Sequence, residues 1–275
     1  MENEDSIFQK SRDVFLDTVS TKSYVHLDRV SMIYKSLQDS IKKPLKMILL
    51  YGKPGTGKSM FLNKLYEDEL SRENTIYLYK TPILDEQEFY KRLAQDIYNE
   101  KDCSELNFTE FMQIIDKKQA DVVPVILLDE AQLYSEVLME KIRLLSDTRA
   151  IKFVIALHKT EKEDLIAKEH FQTRIWESIE LENASKSELK IYIQKKLMKE
   201  NCFESANMFT TKAVNRIYKI TKGNYRDTNK LLYTLFEIYA IYNEDPSNTL
   251  KRVNTNTISN KIIEMSAIHS GLLND

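Results

Sequence analysis

The sequence predicts an α/β protein, a parallel five-stranded sheet covered by helices on both faces, followed by a small all-helical domain. Two observations carry this. Five short runs rich in β-branched and aliphatic residues, at 45–51, 75–80, 122–128, 151–157 and 178–182, alternate with charged segments of helical period such as 86–100 and 135–146. Near-continuous apolar runs of that length belong to strands buried on both faces. After about residue 184 the strand patterns stop and only helical ones follow. The expected division is an α/β core over 1–183, with 1–44 as its lead-in, and a small helical domain over 184–275. The 275 residues suffice for both parts to bury a core.

The first strand, Leu45–Tyr51, runs into YGKPGTGKSM (51–60), where three of the chain's five glycines lie within six residues. Glycine serves where backbone must take positive φ or approach a ligand closely. Met60, Leu62, Leu65 and Tyr66 then recur at near-helical spacing. Gly52-x-x-x-x-Gly57-Lys58-Ser59 is therefore a P-loop pattern on a strand–loop–helix corner, the context that confirms it. Loop N–H groups and a helix N-terminus form an anion cradle. Gly52, Lys53, Pro54, Gly55, Thr56, Gly57, Lys58, Ser59 and Met60 are the candidate ATP-binding residues. Lys58 is expected to reach the β- and γ-phosphates, and the Ser59 hydroxyl to bind Mg²⁺.

The third run ends VILLDEAQ (125–132), an acidic pair at the end of a buried strand. Asp129 is expected to hold the Mg²⁺ shell, which takes carboxylate oxygens and keeps several waters. Glu130 is placed to polarise the water that attacks the γ-phosphate. In the helical half, Ser185-Lys-Ser-Glu188 reads as a capping box, followed by Leu189, Tyr192, Ile193 and Leu197 on one face. Helical patterns continue over 210–221, 226–243 and about 257–268, with Gly223 as a C-terminal cap and EDPSN (244–248) as a loop.

Composition narrows the function classes. Forty Lys and Arg against 42 Asp and Glu give a formal net charge of −2. That balance argues against non-specific coating of nucleic acid, while a local basic face stays open. Cys103 and Cys202 have no metal-type spacing and read as buried free thiols of a reducing compartment. The acidic MENEDS start has no signal-peptide character, and no apolar run approaches the ~20 residues of a membrane span. The chain is expected to be cytoplasmic. His26, His170 and His269 lack ligand companions and read as structural. Trp176 and the tyrosines read as core or interface, and Lys42-Lys43 and Lys195-Lys196 as solvated pairs.

GKPGTGKS followed by LLDEAQ resembles an AAA+ ATPase, and more narrowly the ExeA/GspA-type ATPases of type II secretion and mannose-sensitive pilus assembly. Tyr24–Leu37 is similar to that family's lead-in to the P-loop, and Pro82–Ile97 to its segment after the second strand. Leu144-Leu145-Ser146 and TRI at 173–175 fall where the family expects them. The resemblance implies an AAA+ P-loop fold, ATP hydrolysis to ADP and phosphate, and a homo-oligomer. It implies that Arg174 is an arginine finger acting in trans. It also implies that Arg226, in Gly223-Asn-Tyr-Arg226, is the sensor-2 arginine at the base of the lid. One departure stands out. The fourth strand ends ALHKT, so the polar sensor-1 position falls on His158 or Lys159, ambiguous by one residue, and either could alter hydrolysis rather than binding. The family's larger members carry a membrane segment and a peptidoglycan-binding region, which are absent here, so only a cytosolic motor is expected.

Three functions follow. The leading one is an ATP-driven assembly or remodelling factor for a secretion, pilus or DNA-uptake machine with an envelope partner. The second is a DNA-associated AAA+ ATPase of the transposition-regulator or origin-recognition type, against which the near-neutral charge weighs. The third is a slow nucleotide-dependent switch.

Overall fold

The computed structural model describes residues 7–16, 18, 20–72, 75–100, 106–118, 122–160, 172–244 and 257–273. They divide into two units. One is Arg29–Leu181; the other takes its residues from both sides of it, Met1–Asp28 and Glu182–Asp275.

The first unit is built on a five-stranded parallel sheet: β1 (Met47–Gly52), β2 (Ile76–Tyr79), β3 (Val125–Leu128), β4 (Lys152–His158) and β5 (Ile175–Leu181). Their spatial order is β2-β3-β4-β1-β5, so β4 lies between the strands that carry the P-loop and the acidic pair. Side chains alternate across a strand. Met47, Leu49, Tyr51, Ile126, Leu128, Phe153 and Ile155 therefore point one way. They share a core with Phe89, Tyr90 and Leu93 of α4 (Glu86–Tyr98), Phe111 of α5 (Phe108–Lys117), and Leu138 and Ile142 of α6 (Glu136–Asp147). The intervening residues Ile48, Leu50, Leu127 and Val154 are equally buried. On the remaining helices of this unit, α2 (Asp28–Lys42) is tied to β5 by Ser36 and Ser40 hydroxyls donating to Glu177, and α3 (Lys58–Leu70) packs on β1 and β2.

Two strands start three residues away from the expected position. β3 begins at Val125 rather than 122, because Pro124 has no N–H for the ladder and Val122 and Val123 are exposed. β5 begins at Ile175 rather than 178. It is an edge strand whose Glu177, Ser178 and Glu180 interrupt the apolar residues, which hides it from a search for apolar runs. Trp176 on this edge is 72% exposed and belongs to no core. The α5 helix, unremarked in the sequence, opens with a full capping box: Asn107 accepts from the Glu110 N–H and Glu110 accepts from that of Asn107.

The second unit is helical: α1 (Ile7–Asp13), α7 (Lys186–Lys199), α8 (Phe203–Asn207), α9 (Thr211–Thr221), α10 (Tyr225–Glu244) and α11 (Asn260–His269). The expected capping box at Ser185 and Glu188 forms in both directions. The N-terminal residues, assigned in sequence to the core's lead-in, pack here instead. Phe8 meets Tyr239 and Phe15 stacks on Phe236 of α10, while the Ser11 hydroxyl donates to that of Ser205. Lys196 is likewise no solvated partner of Lys195. It is buried, donates to Asn229, and lies 5.3 Å from the Phe15 ring and 5.7 Å from that of Tyr192. Cys202 is a buried free thiol; Cys103, His170 and residues 245–248 of the EDPSN loop lie outside the described residues.

The cap expected at Gly223 falls on Lys222, which ends α9 in the left-handed region at φ 52°. Gly223, at φ 76°, serves a closer purpose: its carbonyl accepts from the Ala184 N–H at 2.9 Å, and a Cβ there would sit 2.0 Å from the Ala184 oxygen. Gly223→Ala is expected to cost at least ~2 kcal/mol, from the left-handed φ and the clash together. Thermal denaturation should register this as a lowered Tm; an unchanged Tm would show that the backbone yields instead.

Candidate nucleotide site

The carboxyl ends of parallel strands are where α/β sheets place their ligands, and three of the five predicted groups of site residues, the P-loop, the acidic pair and the sensor-1 pair, lie there. β1 ends at Gly52. Lys53 and Pro54 open the loop, and the Lys53 carbonyl accepts from the Thr56 hydroxyl at 2.9 Å. Gly57 caps α3 at φ 96°, a conformation closed to most side chains, and no described side chain caps the helix. First-turn N–H groups at a helix start of this kind suit an anion. Lys58 opens α3 and is buried, its ammonium donating to the carbonyls of Gly52 at 3.0 Å and Lys53 at 3.2 Å. Met60 follows, half-buried, on the same turn.

Asp129 continues β3, its N–H donating to the Tyr79 carbonyl of β2 at 3.1 Å. Asp129 is 5% exposed, and its carboxylate accepts from the Ser59 hydroxyl and the Glu130 N–H. Burial raises the Asp129 carboxyl above its ordinary range, against the pull of those hydrogen bonds and of Lys58. Glu130 stands in the left-handed region at φ 49° and ψ 41°, unusual for a side chain of its size and of the kind found at working sites. It opens a 3₁₀ turn, Ala131–Leu133, which brings the Gln132 amide back to donate to Glu130 Oε2.

His158, the last residue of β4, pairs in register with Gly52 and places Nε2 3.5 Å from the same Glu130 oxygen. Lys159 turns the other way and pairs with Glu180 of β5 at 2.6 Å. Of the two sensor-1 candidates, His158 is the one beside Glu130.

Arg174 is absent from this cluster. It precedes β5, so it sits at the sheet's amino edge, roughly 20 Å from the carboxyl edge by the length of a seven-residue strand. Its guanidinium Nε lies 3.2 Å from both carboxylate oxygens of Asp147, which also accepts from Lys46 at 2.7 Å and Arg143 at 3.0 Å. Burial raises the Asp147 carboxyl, but Lys46 and Arg174 outweigh it and hold it below its usual range. Arg226 is exposed on the first turn of α10, in the helical unit.

Sequence reasoning passed over Gln132 and Asp147. The first stood within the quoted DEAQ; the second shows in sequence only its i,i+4 spacing to Arg143, while Lys46 and Arg174 lie 101 and 27 residues away. Among the described residues no group of three or more His, Cys, Asp and Glu forms a metal cluster. One buried carboxylate and a hydroxyl beside an anion cradle instead suit a Mg²⁺ ion that takes its remaining ligands from phosphates and water. Nor is any described helix long and apolar enough to cross a membrane.

Residues 42–166 match the family model described as an AAA domain, a span that holds the P-loop, Asp129, Glu130, His158 and Lys159. No curated protein matches the chain. Solved structures resemble it throughout. Cdc6p from Pyrobaculum aerophilum is 15% identical, with a TM-score of 0.63 over 94% of this chain and 70% of that one. The Aeropyrum pernix ORC1 protein, solved in complex with DNA, is 15% identical with a TM-score of 0.58, over 94% of this chain and 69% of that one. Domain III of the Thermotoga maritima replication initiation protein DnaA is 17% identical with a TM-score of 0.53, over 91% and 96%. At these identities the likeness is one of fold, and the fold is that of an AAA+ P-loop NTPase.

Proposed function

We propose that the chain is a Mg²⁺-dependent ATPase whose turnover drives assembly or remodelling of a macromolecular partner. The observation that supports this best is the convergence of Lys58, Ser59, Asp129 and Glu130 on one sheet edge. The open α3 N-terminus and the Lys58 ammonium would take the β- and γ-phosphates, and the Gly52 and Lys53 carbonyls now bonded to Lys58 would give it up to them. Ser59 and Asp129 would hold Mg²⁺, which supplies charge neutralisation on the phosphates. Glu130 would accept a proton from the attacking water as its oxygen bonds to the γ-phosphorus and the bond to the bridging oxygen breaks, releasing ADP. His158 would steady Glu130 and the γ-phosphate as sensor 1, and Arg226 would respond from the lid as sensor 2.

Lys58→Ala is expected to abolish binding of a fluorescent ATP analogue, because a charge-assisted contact to the phosphates is lost, and with it phosphate release from Mg·ATP. Undiminished binding would remove the P-loop from this role.

For the partner, we favour a DNA-associated ATPase over an envelope machine. The proteins sharing the fold are described as Cdc6p, ORC1 in complex with DNA, and a replication initiation protein. The secretion and pilus role has the motif resemblance alone behind it. ATP-dependent binding of duplex DNA that weakens steeply with salt supports the favoured reading. Its absence at low salt and micromolar protein returns the partner to the protein class.

A further inference from the structure

The Gln132 side chain is held in a way that packing does not reward. Its amide N–H₂ donates to Glu130 Oε2, while its own carbonyl Oε1 is buried without a hydrogen-bond partner among the described residues. Burying an unpaired carbonyl is unfavourable, and an apolar side chain of the same length would avoid it. The orientation of the amide is not arbitrary, because an ionised carboxylate only accepts hydrogen bonds and must face the N–H₂. The two residues are brought together by a 3₁₀ turn, Ala131–Leu133, entered through the left-handed backbone of Glu130. His158 Nε2, 3.5 Å away, addresses the same Oε2. Both neighbours therefore face one carboxylate oxygen, and among the described residues the other, Glu130 Oε1, is left to take the proton of a water.

We infer that Gln132 is a positioning residue, whose amide fixes the Glu130 carboxylate by one oxygen so that the other is presented as the base. This rests on the ATPase reading above and names a residue that acts through Glu130 without touching the nucleotide. Gln132 should then matter to turnover and not to ATP binding, and it should be replaceable at no loss of stability.

Gln132→Met separates these effects, since it keeps the length, removes the donor and also removes the unpaired carbonyl. The expected result is a Tm at or above the parent's, an unchanged KM for ATP, and a kcat lower by about 10–100-fold, the usual loss when a group orienting a reactive residue is removed. Gln132→His, which retains a donor, is expected to keep kcat within a few-fold of the parent. Should Gln132→Met unfold, Gln132→Glu, which has no donor, replaces it in the comparison with Gln132→His. Parent-like kcat in the donorless variant overturns the assignment of Gln132 alone. So does an equal loss in the variants with and without a donor, which would make Gln132 a matter of shape. A parent chain that releases no phosphate from Mg·ATP overturns the ATPase reading and this one together.

Discussion

Glu130→Gln is expected to leave ATP bound with near-parental affinity and to slow phosphate release by about 10²–10⁴-fold, the contribution of a positioned general base. The amide is nearly isosteric, and its carbonyl oxygen can still accept from Gln132 and lie beside His158, so the surroundings that hold the residue persist. The lost property is basicity. Binding of a fluorescent analogue measured beside phosphate release separates the two effects, and an ATP-dependent oligomer, where one forms, should be trapped by the stalled variant. Turnover at the parental rate would move the base elsewhere, and Asp129, buried against Ser59 and held by the Glu130 N–H, is poorly placed to take over.

Much of this site was legible because its chemistry is local. The P-loop needs glycine, lysine and serine at fixed offsets between a strand and a helix, so a glycine-poor chain announces it. The acidic pair needs only a buried strand in front of it. The capping box at Ser185 and Glu188 is legible for the same reason, and the one at Asn107 and Glu110 offered an equal signal that went unread. What stayed hidden depends on register or on distance along the chain. His158 and Lys159 could not be told apart because the sequence does not show at which residue β4 ends, and side chains alternate along a strand so a one-residue slip changes the face. Only the pairing of Gly52 with His158 settles which one meets Glu130. The packing of α1 on α10 rests on Phe8 with Tyr239 and Phe15 with Phe236, partners more than 200 residues apart that carry no mutual signature. The start of β3 was hidden differently: Val122 and Val123 look like strand, and Pro124 alone ends the ladder.

The amino-edge position of Arg174 gives the second large effect its design. Seven residues of β5 separate it from the carboxyl edge, so it cannot serve the P-loop of its own chain. If it is a finger, the triphosphate it reaches belongs to a second copy. There it would exchange the Asp147 carboxylate, which it now contacts, for the charge on the transferring phosphoryl group. Arg174→Ala is expected to leave ATP binding intact and to lower turnover by about 10³–10⁵-fold, the usual worth of such a finger. The fold should survive the change, because Asp147 keeps Lys46 at 2.7 Å and Arg143 at 3.0 Å. Each single variant is then inactive for a different reason. Arg174→Ala lacks the finger but retains an intact P-loop and Glu130; Glu130→Gln lacks the base but retains the finger. When the two are mixed, interfaces that set the first variant's nucleotide against the second variant's arginine are complete. Phosphate release should reappear in the mixture and rise with total protein concentration, as oligomers form, while each variant alone stays silent at every concentration. If mixed oligomers form and the mixture remains as inactive as its parts, Arg174 does not act in trans. Its contact with Asp147 is then its structural role, and the chain is better read as a nucleotide-dependent switch that works as a single copy.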